Sequence, residues 1–305
     1  MDSIKVKSPA TLSNLCCGFD ILGMALEVPY DLIEIKKQSN PGISIRHIDE
    51  YGLSTDPTKN IAGVALQSLM NALNYQEGFE VIIEKKIKPG SGIGSSAASA
   101  AGVVVAANYL LGQPFTKQQL VSFAMDGEVL ASGSRHADNL APCIYGGLVL
   151  IRDTASLDII EINTPPLFIT IIHPQIEIKT SYAREILPKE IPLKSAVTQW
   201  ANVAGLITGF LNHDFSLISR SLTDIIVEPV RSKLIPGFDK AKSLALQAGA
   251  LGGGISGSGP SLFMLSESET IANEVESKMK SVYDNLKIEY KSYVTTIAQN
   301  GVEII

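Results

Sequence analysis

A segment rich in glycine and serine constrains the fold of this chain more than any other part of its sequence. The segment reads KPGSGIGSSAA at residues 88–98 and follows a predicted strand (residues 79–86). It leads into a predicted buried helix that starts near Ser95 and is rich in Ala and Val at residues 97–111. Glycines let backbone N–H groups turn towards an anion, and the start of a helix adds partial positive charge. The loop can therefore hold a phosphate. Glycine and serine are also preferred in ordinary turns and helix caps, so composition alone leaves both possibilities open.

Length and composition indicate a two-domain globular protein that binds a small metabolite. The 305 residues exceed the size at which one hydrophobic core usually stops growing, and 45% are hydrophobic against 18% charged. The formal net charge of −6, without a cluster of Lys and Arg, argues against nucleic-acid binding. The three cysteines, among them the adjacent Cys16 and Cys17, form neither a disulfide framework nor a zinc ligand set. We expect free thiols.

Two long stretches without charged residues raise the question of a membrane span. These stretches, residues 90–116 and 243–266, are both interrupted by glycines and serines, which favours buried helices and tight loops instead. The first residues show no basic stretch followed by an apolar segment, so neither a secretory signal nor a transit peptide is expected. We predict a cytoplasmic protein without membrane contact.

The pattern of apolar residues changes near residue 160. Before that point, runs at residues 4–7, 24–37, 43–48, 79–86 and 147–151 predict strands, and those at 60–73, 97–111 and 118–127 predict helices. After Pro165 and Pro166 the pattern predicts strands at 168–173 and 261–265, helices at 180–187, 195–211, 214–222, 240–248 and 269–285, a glycine-rich turn after residue 248, and terminal strands. We predict an α+β protein with domains at residues 1–160 and 161–305.

Three segments resemble, in order, the signatures of the GHMP kinase superfamily, which includes galactokinases, homoserine kinases, mevalonate kinases and phosphomevalonate kinases. They are PATLSNLCCGFD (residues 9–20), the loop at residues 88–98 and GGGISGSGPS (residues 252–261). In the loop, Lys88 stands where the family often has Pro, and Ile93 where it usually has Leu or Met. The loop lacks the spacing of a P-loop or a dinucleotide fingerprint. The resemblance implies a two-domain kinase, with an N-terminal ribosomal protein S5 domain 2-like domain, a C-terminal ferredoxin-like domain and the site between them.

Two features resemble the homoserine kinases within this superfamily, namely the spacing from Asn14 to Asp20 and the segment GSRHADNLAP at residues 133–142. The resemblance implies that the pocket for L-homoserine contains Asn14, Asp20, His136, Asn139, Arg184 and Arg231. A carboxylate such as Asp20 suits an α-ammonium group, and the planar donor fork of arginine suits a carboxylate. Without the resemblance, an aspartate in this sequence context is more often a turn residue, a lone histidine a structural one, and a lone arginine a solvated surface charge.

The same resemblance implies sites for ATP and Mg²⁺. The predicted ATP-binding residues are Asn60, Pro89, Gly90, Ser91, Gly92, Ile93, Gly94, Ser95 and Ser96. The predicted Mg²⁺ ligands are Ser96 and Glu128, few in number because Mg²⁺ keeps several waters and shares oxygens with the nucleotide. Together with Asn139, these two are the predicted catalytic residues.

The predicted reaction is direct in-line transfer of the γ-phosphoryl group of ATP to the side-chain hydroxyl of L-homoserine, a step of threonine biosynthesis. Other superfamily members have an Asp and Lys pair that can activate the hydroxyl, whereas this pocket offers Asn139, which cannot take a proton at neutral pH. We therefore predict no dedicated base. The resemblance also implies a homodimer. Two alternatives stay open: a GHMP kinase acting on mevalonate or a sugar, and a non-catalytic nucleotide-binding sensor.

Overall fold

The structure, a computed structural model, describes residues 2–133 and 135–305. Met1 and Ser134, the latter part of the segment at residues 133–142, lie outside the described residues. The elements are, in chain order, β1 (Ser3–Ser13), β2 (Leu22–Gln38), β3 (Gly42–His47), α1 (Ile61–Leu73), β4 (Gly78–Glu84), α2 (Ser95–Leu110), α3 (Lys117–Ser132), α4 (Leu140–Tyr145), β5 (Leu148–Asp153), β6 (Asp158–Ile162), β7 (Phe168–Pro174), α5 (Thr180–Glu185), α6 (Leu193–Asn212), α7 (Phe215–Ser221), α8 (Glu228–Arg231), α9 (Phe238–Gln247), β8 (Gly252–Ile255), β9 (Leu262–Ser266), α10 (Glu269–Leu286), β10 (Tyr290–Thr296) and β11 (Glu303–Ile304).

The first sheet is formed mainly by strands from the N-terminal half of the chain. Its strands run in the order β11-β1-β2-β4-β3, with β5 also paired to β2 and β6 to β5. All of these pairs are antiparallel except β3 with β4. Helix α2 packs on β1 and β2 and is flanked by α1, α3 and α4. Helix α2 is buried on nearly all sides, and its residues 95–107 are all small or β-branched, as its sequence predicts.

The second sheet has the order β10-β7-β9-β8, and every pair in it is antiparallel. Helices α9 and α10 cover this sheet, so the elements follow the chain as β-α-β-β-α-β with strands in the spatial order 4-1-3-2. This is the ferredoxin-like arrangement that the sequence predicts for the C-terminal half. Among the described residues, no helix is both long and apolar enough to cross a bilayer.

Several elements differ from the predicted ones. Residues 252–255, predicted as a turn, form strand β8. The last strand, β11, returns to pair with β1 in the first sheet. Strand β6 spans residue 160, and the domain boundary there stays a prediction. Helices α4 and α8 are short segments that periodicity did not predict.

A shared core joins the two halves. Leu12, Leu15 and Ile93 from the first half pack in one cluster with Phe210 and Phe263 from the second. Burial of these large apolar side chains fixes the two halves against each other. The loops above this cluster carry the candidate site.

Candidate active site

A cavity of about 360 Å³ opens between the two halves. Of the predicted site residues, those that line it are Asn14, Asp20, Asn60, Pro89, Gly90, Ser91, Gly92, Gly94, Ser95, Ser96, Glu128, His136, Asn139, Arg184 and Arg231. The exception is Ile93, whose side chain is buried in the shared core. Gly257 and Ser258 line it as well, so residues from all three resembling segments meet around one space.

The loop at residues 88–98 presents the start of α2 to the cavity. Helix α2 begins at Ser95, and its N-cap residue Gly94 makes no side-chain capping bond. The Ser95 hydroxyl donates instead to the carbonyl of Ile87 at 2.8 Å. The first N–H groups of a helix have no partner within the helix, so they suit an anion at this end. This geometry favours a phosphate site over an ordinary side-chain cap.

The segment at residues 252–261 supports the loop from behind. The hydroxyl of Ser256 donates to the Gly92 carbonyl at 2.7 Å, and that of Ser261 donates to the Ser91 carbonyl at 2.6 Å. These two hydrogen bonds link the loop to the C-terminal half of the chain. The segment thus holds the loop at residues 88–98 in place.

We predict that Gly92→Ala disables the loop while Gly90→Ala is tolerated better. Both glycines have positive φ, +82° and +74°. A Cβ on Gly92 would lie 2.7 Å from the carbonyl oxygen of Gly259, whereas a Cβ on Gly90 would meet nothing within 4 Å. Both variants carry backbone strain of about 1–2 kcal/mol, but only Gly92→Ala must also move the loop. Initial rates at varied ATP should show a much larger rise in the KM for ATP in Gly92→Ala. Equal kinetics in the two variants would contradict the close packing.

A buried ion pair fixes the base of the loop. Lys85 pairs with Asp31, and its Nζ also donates to the Ser95 carbonyl at 2.6 Å. The other oxygen of Asp31 accepts from the backbone N–H groups of Lys86 and Ile87, at 2.8 and 2.9 Å. The pair thus ties β2 to the chain after β4 and to the start of α2. Sequence patterns did not reveal it.

Two oppositely charged side chains that line the cavity form an ion pair. The guanidinium of Arg184 forms two hydrogen bonds with the carboxylate of Asp20, at 3.0 and 2.8 Å. Nearby, Arg231 is buried and donates to the carbonyls of Ala183 and Gly257, at 2.9 and 2.8 Å. Burial, together with repulsion from Arg184, lowers the pKa of Arg231 to about 10. Among the described residues no carboxylate forms an ion pair with Arg231, so this cation suits an incoming anion.

Asn14 holds the turn that presents Asp20. Its amide oxygen accepts from the backbone N–H of Asp20 at 3.1 Å, and its amide nitrogen donates to the Gly257 carbonyl at 3.0 Å. Asn14 and Asp20 both adopt positive φ, +73° and +63°, which short polar side chains tolerate best. The predicted contact of Asn14 with substrate stays a prediction; in this structure its amide binds the protein's own backbone.

Asn139 and His136 also line the cavity. The Asn139 amide accepts from Thr11 Oγ1 at 2.8 Å and donates to Ser13 Oγ at 3.0 Å, which fixes its orientation. The Nδ1 atom of His136 lies 4.0 Å from Asp20 Oδ2. Burial lowers the pKa of His136, and Arg184 adds to that effect while Asp20 opposes it.

Glu128 and Ser96 provide the oxygen donors that a Mg²⁺ ion prefers. Both line the cavity beside the start of α2, and the two side chains form a hydrogen bond. One carboxylate oxygen of Glu128 is shielded from solvent, and burial raises the pKa of this group to about 7 while the bond with Ser96 opposes the rise. A cation at this place would stabilise the charged carboxylate. The donor set therefore fits Mg²⁺.

Asp138 is a lining residue that the sequence did not predict. Burial, followed by repulsion from Asp20 and Glu128, raises its pKa to about 7, and a hydrogen bond with Ser13 opposes this shift. It lies next to Asn139 and is the carboxyl group to examine for a proton-accepting role.

Asn60 caps helix α1 and lines the cavity. Its amide oxygen accepts from the N–H of Ala62 at 2.9 Å, and its nitrogen lies 2.6 Å from the Ser54 carbonyl and 2.9 Å from His47 Nε2. These bonds assign Asn60 a clear role in holding the loop before α1. Its contact with a nucleotide base stays a prediction.

Two family models match the chain. The model of the GHMP kinase N-terminal domain matches residues 60–147, and that of the GHMP kinase C-terminal domain matches residues 206–285. The matched ranges lie on either side of the predicted domain boundary.

Relatives along the full length are similar in sequence and structure. A homoserine kinase of Chloroherpeton thalassium is 44% identical, with 98% of each chain covered. The crystal structure of a homoserine kinase from Cytophaga hutchinsonii is 47% identical, has a TM-score of 0.96, and the match covers 100% of this chain and 98% of that one. A mevalonate kinase of L. major has a TM-score of 0.74 at 15% identity, over 96% of this chain and 95% of that one, which shows a common fold alone. The two-domain fold predicted from the sequence is confirmed.

Proposed function

The chain belongs to the GHMP kinase family, and within it we propose a homoserine kinase, which transfers the γ-phosphoryl group of ATP to the side-chain hydroxyl of L-homoserine. The products are O-phospho-L-homoserine and ADP, and the reaction is a step towards threonine. The observation that carries the proposal is the arrangement of charge in one cavity. The start of α2 lines this cavity, and so do Asp20, Arg184 and Arg231. An amino acid with a short hydroxyl side chain matches that set of groups.

The residues of the chain supply binding, orientation and charge. Backbone N–H groups at the start of α2 bind the phosphates of ATP, and Asp20 takes the α-ammonium group of the substrate. The substrate carboxylate binds Arg231 and Arg184. Asn139, held by Thr11 and Ser13, orients the hydroxyl that attacks the γ-phosphorus. Glu128 and Ser96 would hold Mg²⁺, which offsets the negative charge of the phosphate oxygens when it is bound.

An assay of ADP release tests this proposal and separates the alternatives. Purified protein with ATP and Mg²⁺ is given L-homoserine, mevalonate, galactose or shikimate in turn. We expect rapid ADP release with L-homoserine and a rate at least about 100-fold lower with the others, because each lacks the paired ammonium and carboxylate that this site recognises. A preference for mevalonate or galactose would identify a related kinase instead. Nucleotide binding without release of ADP for any acceptor would favour a sensor.

Replacing Asp138 with Asn is expected to lower turnover less than about tenfold, because the mechanism uses no dedicated base. The variant keeps an oxygen that accepts from Ser13 and removes repulsion with Asp20 and Glu128. Steady-state kinetics with saturating substrates measure the effect. A loss of about 100-fold or more with unchanged KM values would instead make Asp138 the base.

The same variant has an expected effect on stability. The pKa of Asp138 rises from 3.8 to about 7 in the folded chain, so ionisation of this carboxyl opposes folding as the pH rises through that interval. Asp138→Asn is therefore expected to raise the melting temperature at pH 8 relative to the parent, with a smaller difference at pH 4. A decrease in melting temperature at pH 8 would contradict the raised pKa.

The homodimer and the cytoplasmic location remain predictions; light scattering and cell fractionation would test them.

A further inference from the structure

We infer that Phe19 is a positioning residue of this site, whose aromatic ring holds the guanidinium groups of Arg184 and Arg231 in place to bind the carboxylate of the substrate. The inference rests on the proposed function, because it takes that carboxylate to be the ligand of the two arginines. Phe19 directly precedes Asp20 in the chain and lines the cavity, and the two arginines lie on α5 and α8.

Both arginines make contact with the same ring. The Cζ atom of Arg184 lies 5.3 Å from the centroid of the Phe19 ring, and the Cζ atom of Arg231 lies 5.2 Å from it. A guanidinium within about 6 Å of a ring centroid is attracted by the negative π-face, more strongly where water is excluded. Phe19 also lines the cavity. One side chain thus links the two cations that face the proposed carboxylate.

The need for such a link follows from the charges. Arg184 and Arg231 are close enough to repel, since the charge of Arg184 contributes to the lowered pKa of Arg231. Arg231 is anchored by two backbone carbonyls. Arg184 has its two short bonds to Asp20, the same group that is proposed to bind the substrate ammonium.

The ring supplies the anchor that a substrate does not displace. When the substrate ammonium group binds Asp20, it competes with Arg184 for the same carboxylate, so the ion pair between Asp20 and Arg184 weakens. The Phe19 ring carries no formal charge and no hydrogen-bonding group for the substrate ammonium, so the substrate does not compete for its contact with Arg184. Arg184 then stays beside Arg231, and both donor forks are pre-organised for one carboxylate.

Kinetics of two matched variants test the inference. Phe19→Leu keeps an apolar side chain but removes the π-face, and Phe19→Tyr keeps the ring. For Phe19→Leu we expect the KM for L-homoserine to rise about tenfold, while kcat and the KM for ATP stay within about twofold. Phe19→Tyr should restore a KM near that of the parent. Melting temperatures of both variants establish that they are folded.

A graded series avoids dependence on any variant that fails to fold. Phe19 is replaced by phenylalanine with one, two or three fluorine atoms on the ring, which weakens the π-face with little change of shape. We expect the KM for L-homoserine to rise with each added fluorine, up to about tenfold, at constant kcat and melting temperature.

The outcomes separate failure of this inference from failure of the proposed function. If the parent protein releases no ADP with L-homoserine, the proposed function is wrong. If the parent is active but fluorination leaves the KM for L-homoserine unchanged, the role of Phe19 is wrong while the function stands. A fall in kcat, in ATP binding and in melting temperature together, without a selective rise in that KM, would show a structural role and also overturn the inference.

Discussion

Turnover of Glu128→Gln is expected to fall about 1,000-fold, because the amide removes the charge that would hold Mg²⁺ beside the phosphates. Glu128 borders the cavity next to the start of α2 and forms a hydrogen bond with Ser96, so the change keeps the size and the hydrogen-bonding capacity of the side chain. Activity measured over a titration with Mg²⁺ should show that far more metal is needed. The substitution does not change Arg184 or Arg231, so binding of L-homoserine should change little.

Glu274→Gln is the matched control for this prediction. Glu274 lies on the exposed side of α10 and pairs with Lys278 at 3.0 Å, so its loss should cost no activity. Full activity of Glu128→Gln at ordinary Mg²⁺ concentrations would contradict the assignment of Glu128 as a metal ligand.

Arg231→Met is expected to lower kcat/KM for L-homoserine at least about 100-fold, since a buried carboxylate would be left without its charged partner. Methionine fills part of the same apolar volume but gives up the bonds to Ala183 and Gly257. For that reason the measurement includes Arg231→Lys, which keeps the charge and loses the planar fork. The KM for ATP should stay near that of the parent in both variants.

The exposed arginine of α7 provides the control for Arg231. Arg220 donates to Ser216 on the same helix and has no place at the cavity, so Arg220→Met should leave kcat/KM unchanged. If Arg231→Met binds L-homoserine as the parent does, the carboxylate lies elsewhere.

Local sequence predicted the structure of the loop at residues 88–98 because its features are local. A strand, three glycines and the start of an Ala-rich helix follow one another without interruption, and α2 begins at Ser95 as the pattern predicts. By contrast, the support of that loop comes from distant parts of the chain. Asp31 and Lys85 are 54 positions apart, and Ser261 is 170 positions from Ser91. No periodicity or spacing relates such pairs, so they emerge only from the folded chain.

A run of glycines can mark a turn or a strand whose backbone packs closely against another, and the sequence alone does not separate the two. In residues 252–255 a run of glycines predicts a turn, yet these residues form β8. A Cβ on Gly253 would lie 2.0 Å from the carbonyl oxygen of Phe263, so glycine is required there by close packing of backbones in a strand. Asp138 could not be predicted from sequence for another reason. Its neighbours His136 and Asn139 were predicted from the resemblance, whereas Asp138 is distinguished only by its burial near Asp20 and Glu128 in the folded chain.

The most direct test is a crystal structure of the protein with Mg²⁺, a non-hydrolysable ATP analogue and L-homoserine. We expect the terminal phosphates against the backbone N–H groups at the start of α2, the ammonium group on Asp20, the carboxylate on Arg231 and Arg184, and the side-chain hydroxyl pointing at the γ-phosphorus. A triphosphate bound away from residues 90–96, or an amino acid whose carboxylate faces the phosphates, would contradict the account.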